Sequence, residues 1–160
     1  MPMLRLLTLP LLALACAAAA PSAPDIYVMR HLEKEAGQDP GLSEKGRRGA
    51  ERLVALFAGR APAAIYVSTT RRARETAGPL AARLGLTPKD YAPADVGGLV
   101  ARVKAEKGIV LIVGHSNTVP EIVAQLGGAR PAELGEEDFG DIFHVRRDGK
   151  VERLRVETVP

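Results

Sequence analysis

The chain carries one cysteine, no tryptophan and only 4% aromatic residues among its 160 amino acids. A lone Cys16 excludes a disulfide framework and any cysteine-based metal cluster. With so few rings, the core has to be built from Leu, Val, Ile and Ala. Neither sign of charge prevails: 22 Lys+Arg face 19 Asp+Glu, a net +3. The arginine pairs Arg47-Arg48, Arg71-Arg72 and Arg146-Arg147 are scattered and lack interleaved aromatics, so no nucleic-acid partner is expected. No His-x-His, Cys-x-x-Cys or Glu-x-x-His spacing occurs, and no metal is expected. What is present is globular in balance, with 46% hydrophobic and 26% charged residues. That is material for one domain.

The long apolar run lies at the start. Met1–Arg5 carries one positive charge, Leu6–Ala15 is apolar except for Thr8 and Pro10, and small residues follow to Ala20. This three-part layout reads as a secretory signal over residues 1–20, too short for a durable membrane span. Cleavage is expected near Ala17–Ala19, leaving 21–160 as a single exported domain, periplasmic or extracellular. The alternative takes Leu14-Ala15-Cys16 as a lipoprotein box, with a lipid anchor on Cys16; Ala13 stands where that box expects Leu.

From residue 25 onward, strand and helix patterns alternate. Asp25–Met29, Ala63–Val67 and Ile109–Val113 are short, near-continuous apolar runs, the signature of strands buried on both faces of a parallel sheet. Helical stripes fall between and after them: Ala50, Leu53, Val54 and Phe57 behind a Ser43 cap, then Ala73, Ala77, Leu80, Ala81 and Leu84 ended by Gly85. Val96, Leu99, Val100 and Val103 mark a third helix, and Val119, Ile122, Val123 and Leu126 a fourth. Ile142–Arg146 and Val151–Val156, around Arg147-Asp148-Gly149-Lys150, read as a C-terminal β-hairpin. The expected architecture is α/β, a mostly parallel sheet with helices on both faces.

In such sheets, ligands bind beyond the carboxyl ends of the strands. Arg30-His31 follow the first run, Ser68-Thr-Thr-Arg71-Arg72 the second and Gly114-His115-Ser116-Asn117 the third. Two imidazoles and several guanidiniums therefore converge beside helix starts, a chemistry suited to a phosphoryl group. Arg71, Arg72 and Arg74 at helical spacing cannot all enter one pocket, so one is expected to function and the others to face solvent. His144 sits within a strand pattern and reads as structural.

Four ordered motifs carry a resemblance. Arg30-His31-Leu32-Glu33-Lys34, Leu42-Ser-Glu-Lys-Gly46, Ser68-x-x-Arg71-Arg72-Ala-x-x-Thr76-Ala77 and Gly114-His115-Ser116 resemble the histidine phosphatase superfamily, the phosphoglycerate-mutase-like group. The resemblance implies a three-layer α/β/α sandwich and a phosphatase with no cofactor. It makes His31 the nucleophile that becomes phosphorylated, Arg30 and Arg72 phosphoryl ligands, and His115 the second pocket histidine, with Ser116 beside it. The implied substrate is a small phosphomonoester or a phosphoprotein. Leu32 stands where the family's first motif commonly has Gly. The leaving-group acid that many members supply between the second and third motifs would be Asp95, which is equally placed to cap the helix it precedes. Two other readings compete: a non-catalytic phosphate-binding module, and a serine esterase with Ser116 as nucleophile and His144 as base.

Overall fold

The computed structural model describes residues 24–156, so the expected signal segment over residues 1–20 and Cys16 lie outside the described residues. Six strands form one sheet: β1 (Ile26–Arg30), β2 (Ala64–Ser68), β3 (Lys89–Tyr91), β4 (Val110–Gly114), β5 (Asp141–Val145) and β6 (Val151–Arg155). Their spatial order is β3-β2-β4-β1-β5-β6. The first four run parallel; β5 joins β1 antiparallel and pairs with β6 as the expected hairpin. Four helices alternate with the strands: α1 (Glu44–Leu56), α2 (Arg71–Leu84), α3 (Val96–Lys104) and α4 (Val119–Gln125). This is the mostly parallel, three-layer α/β/α architecture expected from the sequence. No helix among the described residues is long and apolar enough to cross a membrane.

Successive strand side chains point to opposite faces, so each buried strand feeds two cores. Tyr27, Met29, Ile65, Val67, Leu111 and Val113 pack with Leu53, Phe57, Ala77 and Leu80 beneath α1 and α2. Ile26, Val28, Tyr66, Val110 and Ile112 pack with Leu99, Val103, Ile122 and Val123 beneath α3 and α4. Near-complete burial on both faces explains why these strands read as apolar runs without alternation.

Two expectations need correction. Strands β1, β2 and β4 each end one residue later than their apolar runs, because the ladder extends to the polar ends: Arg30 lies beside Gly114, and Ser68 beside Tyr91. Strand β3 was not expected at all. Its three residues, Lys-Asp-Tyr, bury only Tyr91, and an edge strand of that length has no periodicity to recognise.

The Leu-Ser-x-x-Gly motif has a packing cause. The Ser43 hydroxyl caps α1 by accepting from the Gly46 amide, while the Ser43 amide donates to the Glu33 carbonyl. That same carbonyl lies 2.1 Å from where a Cβ on Gly46 would stand. Helix α1 thus rests directly on the segment after His31. Gly46→Ala is expected to lower stability by about 3 kcal/mol, the upper range for forcing extra volume into packed backbone, read as a reduced midpoint in urea denaturation.

Candidate active site

Strand pairing builds the site's floor. Strands β1 and β4 run side by side with Arg30 opposite Gly114, and the His31 amide donates to the Gly114 carbonyl at 2.9 Å. The residues that follow, His31 and His115, therefore leave the sheet together, their ring centroids 5.4 Å apart and inclined at 66°. Gly114 admits this crossing because a Cβ there would meet the Tyr91 hydroxyl at 2.7 Å and Thr118 Oγ1 at 2.9 Å.

Arg72, in the first turn of α2, completes the group. Its Nη2 lies 3.4 Å from His115 Nδ1 and its Nη1 3.6 Å from Asp39 Oδ1, with the side chain 18% exposed. Arg71 and Arg74 point away, paired with Glu75 and Asp90. Of the three neighbouring arginines, the structure brings only Arg72 beside a histidine.

Thr76, a motif residue to which the sequence alone assigns no role, ties this turn to the segment that follows His31. Its hydroxyl accepts from the Leu32 amide at 3.0 Å and donates to the Arg72 carbonyl at 2.8 Å, with the residue wholly buried. A loop without any recognisable motif closes the other side. Arg30 Nη1 donates to the carbonyls of Gly135, Glu136 and Asp138, and the guanidinium carbon sits 4.1 Å above the Phe139 ring. That ring is also 6.0 Å from His31. No motif pattern marks residues 135–139, because most of what they offer is backbone oxygen. Arg30 Nε and Arg72 Nε, both buried, lack hydrogen-bond partners. Two guanidiniums fixed at one edge and unsatisfied at another make a donor set for a tetrahedral oxyanion.

The histidines are set up as neutral bases. His31 Nδ1 lies 2.8 Å from the Leu32 carbonyl, which can only accept, so Nδ1 carries the proton and Nε2 keeps its lone pair. Burial pulls the His31 pKa down to about 3; the Leu32 hydrogen bond opposes it, and the nearby Arg72, His115 and Arg30 charges lower it further. His115 falls to about 4, again chiefly through burial and then through Arg72 and Arg30. Burial also lowers Arg30, which remains a cation at neutral pH.

The remaining expected residues fall elsewhere. Asp95 caps α3, its Oδ1 accepting from the Gly98 amide at 2.9 Å. It follows edge strand β3, three places across the sheet from β1, roughly 14 Å at normal strand spacing. Ser116 is half-buried beside His115 and lines a cavity of about 180 Å³ with Asn117 and Arg130. It does not cap α4: Thr118 holds that position, its hydroxyl accepting from the His115 amide. His144 stacks on Tyr27, centroids 4.2 Å apart, between Asp25 and Glu152. Since Tyr27 is three residues before the site end of β1, His144 sits roughly 10 Å down the sheet from Ser116's level. The esterase pairing is thereby overturned.

This geometry has counterparts among known proteins. The family model of the histidine phosphatase superfamily (branch 1) matches residues 26–93, which carry the first three motifs. Among solved structures, the chain resembles the protein histidine phosphatase SixA complexed with tungstate, at 21% identity and a TM-score of 0.65, over 82% of this chain and 97% of that one. It also resembles a mycobacterial glucosyl-3-phosphoglycerate phosphatase complexed with inorganic phosphate, at 18% identity and a TM-score of 0.59, over 83% and 95%. No curated protein sequence matches the chain.

The sign of the histidine shifts sets a pH dependence. Between the folded values of about 3 and about 4 and the ordinary 6.5, the unfolded chain holds more protons than the folded one. Stability therefore falls as pH drops below 6.5 and is undiminished above it. In an NMR titration of the folded protein, the His31 and His115 ring protons are expected to stay in place through pH 6.5 and to move only well below it.

Proposed function

We propose that this protein is a metal-independent phosphatase that hydrolyses phosphomonoesters, or phosphohistidine, through a phosphohistidine intermediate on His31. The observation that carries the reading is His31 itself: neutral, its Nδ1 committed to the Leu32 carbonyl, its Nε2 free beside Arg72, Arg30 and His115. In the first step a bond forms from Nε2 to phosphorus while the ester bond breaks in line, and the leaving oxygen departs with the bonding pair. Water then attacks the phosphohistidine, the N–P bond breaks toward Nε2, and orthophosphate leaves. Charge gathers on the equatorial oxygens, where Arg30, Arg72, His115 and the Ser116 region supply fixed donors; electrostatic positioning is the main catalytic contribution.

Among the described residues, no hydrogen bond or ion pair joins Asp95 to the histidines or to Arg72, and its carboxylate serves the α3 cap. The reaction is therefore best matched to leaving groups that depart without a strong acid, such as phosphohistidine and aryl phosphates. We further propose export of the mature chain, on the strength of the signal pattern in residues 1–20. Secreted or periplasmic protein should show an N-terminus near residue 20 by intact mass, and a lipid adduct on Cys16 would replace soluble export by the lipoprotein form.

The deciding assay is hydrolysis of an aryl phosphate with chelator present. Wild type is expected to turn over and to show a phosphate adduct by intact mass in samples quenched with denaturant at alkaline pH. His31→Ala should lose both, and Arg72→Ala should lose about 10²- to 10³-fold in kcat, as when one transition-state donor is removed. Turnover surviving in His31→Ala would refute the mechanism. Phosphate binding without turnover or adduct would favour the binding module.

A further inference from the structure

Helix α2 begins against its own electrostatics. Its first turn contains Arg71, Arg72 and Arg74 and no acid, although a helix N-terminus already carries partial positive charge. Thr70, at the cap position, makes no side-chain cap bond; its hydroxyl pairs with Ser68 at 3.1 Å. The missing anion comes from another part of the chain. Asp39 Oδ1 accepts from the Arg71 amide at 3.1 Å and lies 3.6 Å from Arg72 Nη1.

The loop bearing Asp39 is built to deliver it there. Pro40 biases Asp39 toward an extended backbone. The Glu35 amide donates to the Gly41 carbonyl at 3.0 Å, and Lys34 and Leu42 form an antiparallel bridge, closing the loop at its base. Glu75 of α2 accepts from the Leu42 amide at 2.6 Å and from Arg71 Nε at 2.6 Å, binding loop and helix together. A Cβ on Gly41 would lie 2.8 Å from Glu75 Oε2, so glycine permits this approach. Asp39 itself stays 58% exposed at the mouth of the site.

We propose that Asp39 is a positioning residue for Arg72, a strut that holds the first turn of α2 and turns the guanidinium edge toward His115 and the phosphoryl group. The proposal rests on the phosphatase reading. With Asp39 engaging the backbone and Nη1, Arg72 keeps Nη2 at His115 and Nε unpartnered, the arrangement an oxyanion needs. The strut works through an acceptor oxygen, so an asparagine at position 39 should replace it and an alanine should not.

The test compares Asp39→Asn with Asp39→Ala, which have equal charge, so any difference isolates the acceptor. Activity on aryl and alkyl phosphates is measured alongside inorganic phosphate affinity by calorimetry and thermal unfolding. Asp39→Asn should exceed Asp39→Ala about tenfold in kcat/KM and in phosphate affinity, the value of one charge-assisted contact, and equally for both substrate types. If Asp39→Ala fails to fold, Asp39→Ser takes its place, since its shorter side chain cannot span to Arg72. Equal behaviour of the two variants would overturn the strut. A loss shared by both and confined to alkyl phosphates would make Asp39 a proton donor instead, and tighter phosphate binding shared by both would make it a competing anion. Should wild type itself lack turnover, the phosphatase reading fails, while the ratio of phosphate affinities still decides the role of Asp39.

Discussion

The parallel pairing of β1 with β4 is the constraint on which the site depends. It sets Arg30 against Gly114 and draws the His31 amide onto the Gly114 carbonyl, so that two histidines 84 positions apart in sequence number leave the sheet in contact. A slip of one residue in this register would turn one imidazole to the opposite face. The register is held by burial on both sides: Tyr27 and Met29 face α1 and α2, while Ile26 and Val28 face α3 and α4. No separate device is needed to align the histidines, because the core does it.

Burial also decides their chemistry. His31 is 3% exposed and His115 9%, beside two guanidiniums that share the same confined space. Removing an imidazole from water disfavours its charged form, and each neighbouring cation adds to the effect. The outcome is a neutral imidazole within a cationic frame, suited to meeting an oxyanion without first having to lose a proton. The Leu32 carbonyl then chooses the tautomer. A backbone oxygen available at that point is independent of which side chain residue 32 carries, so the hydrogen bond does not depend on Leu32's side chain.

Around these parts, hydrogen bonds from distant segments determine which edge of each arginine is usable. Three carbonyls of the 135–138 segment occupy Arg30 Nη1, and Phe139 lies beneath the guanidinium. Asp39 and His115 bracket Arg72. Thr76 joins the backbone after His31 to the turn bearing Arg72, giving the Ala-x-x-Thr element a physical purpose. Orientation of a flexible side chain by fixed acceptors is what converts a cluster of charges into a site of defined geometry.

Apolar patterning alone determined the alternation of strands and helices, since burial on two faces produces continuous runs and burial on one helix face produces stripes; α2 begins and ends where its stripe, its first arginine and Gly85 place it. The polar residues after each run are equally visible, which makes Arg30, His31, His115 and one of the three neighbouring arginines legible as one cluster; the motif resemblance points to Arg72, and the structure sets it at His115. Tertiary structure decided what no local pattern encodes. Strand β3 exists because a neighbour offers it a ladder, and His144 lies down the sheet, away from Ser116. It also recruited Asp39 and the 135–139 segment, whose contribution is a carboxylate and backbone oxygens brought from afar. A sequence displays residue types and their spacing; which acceptor meets which donor depends on how the chain crosses itself in space.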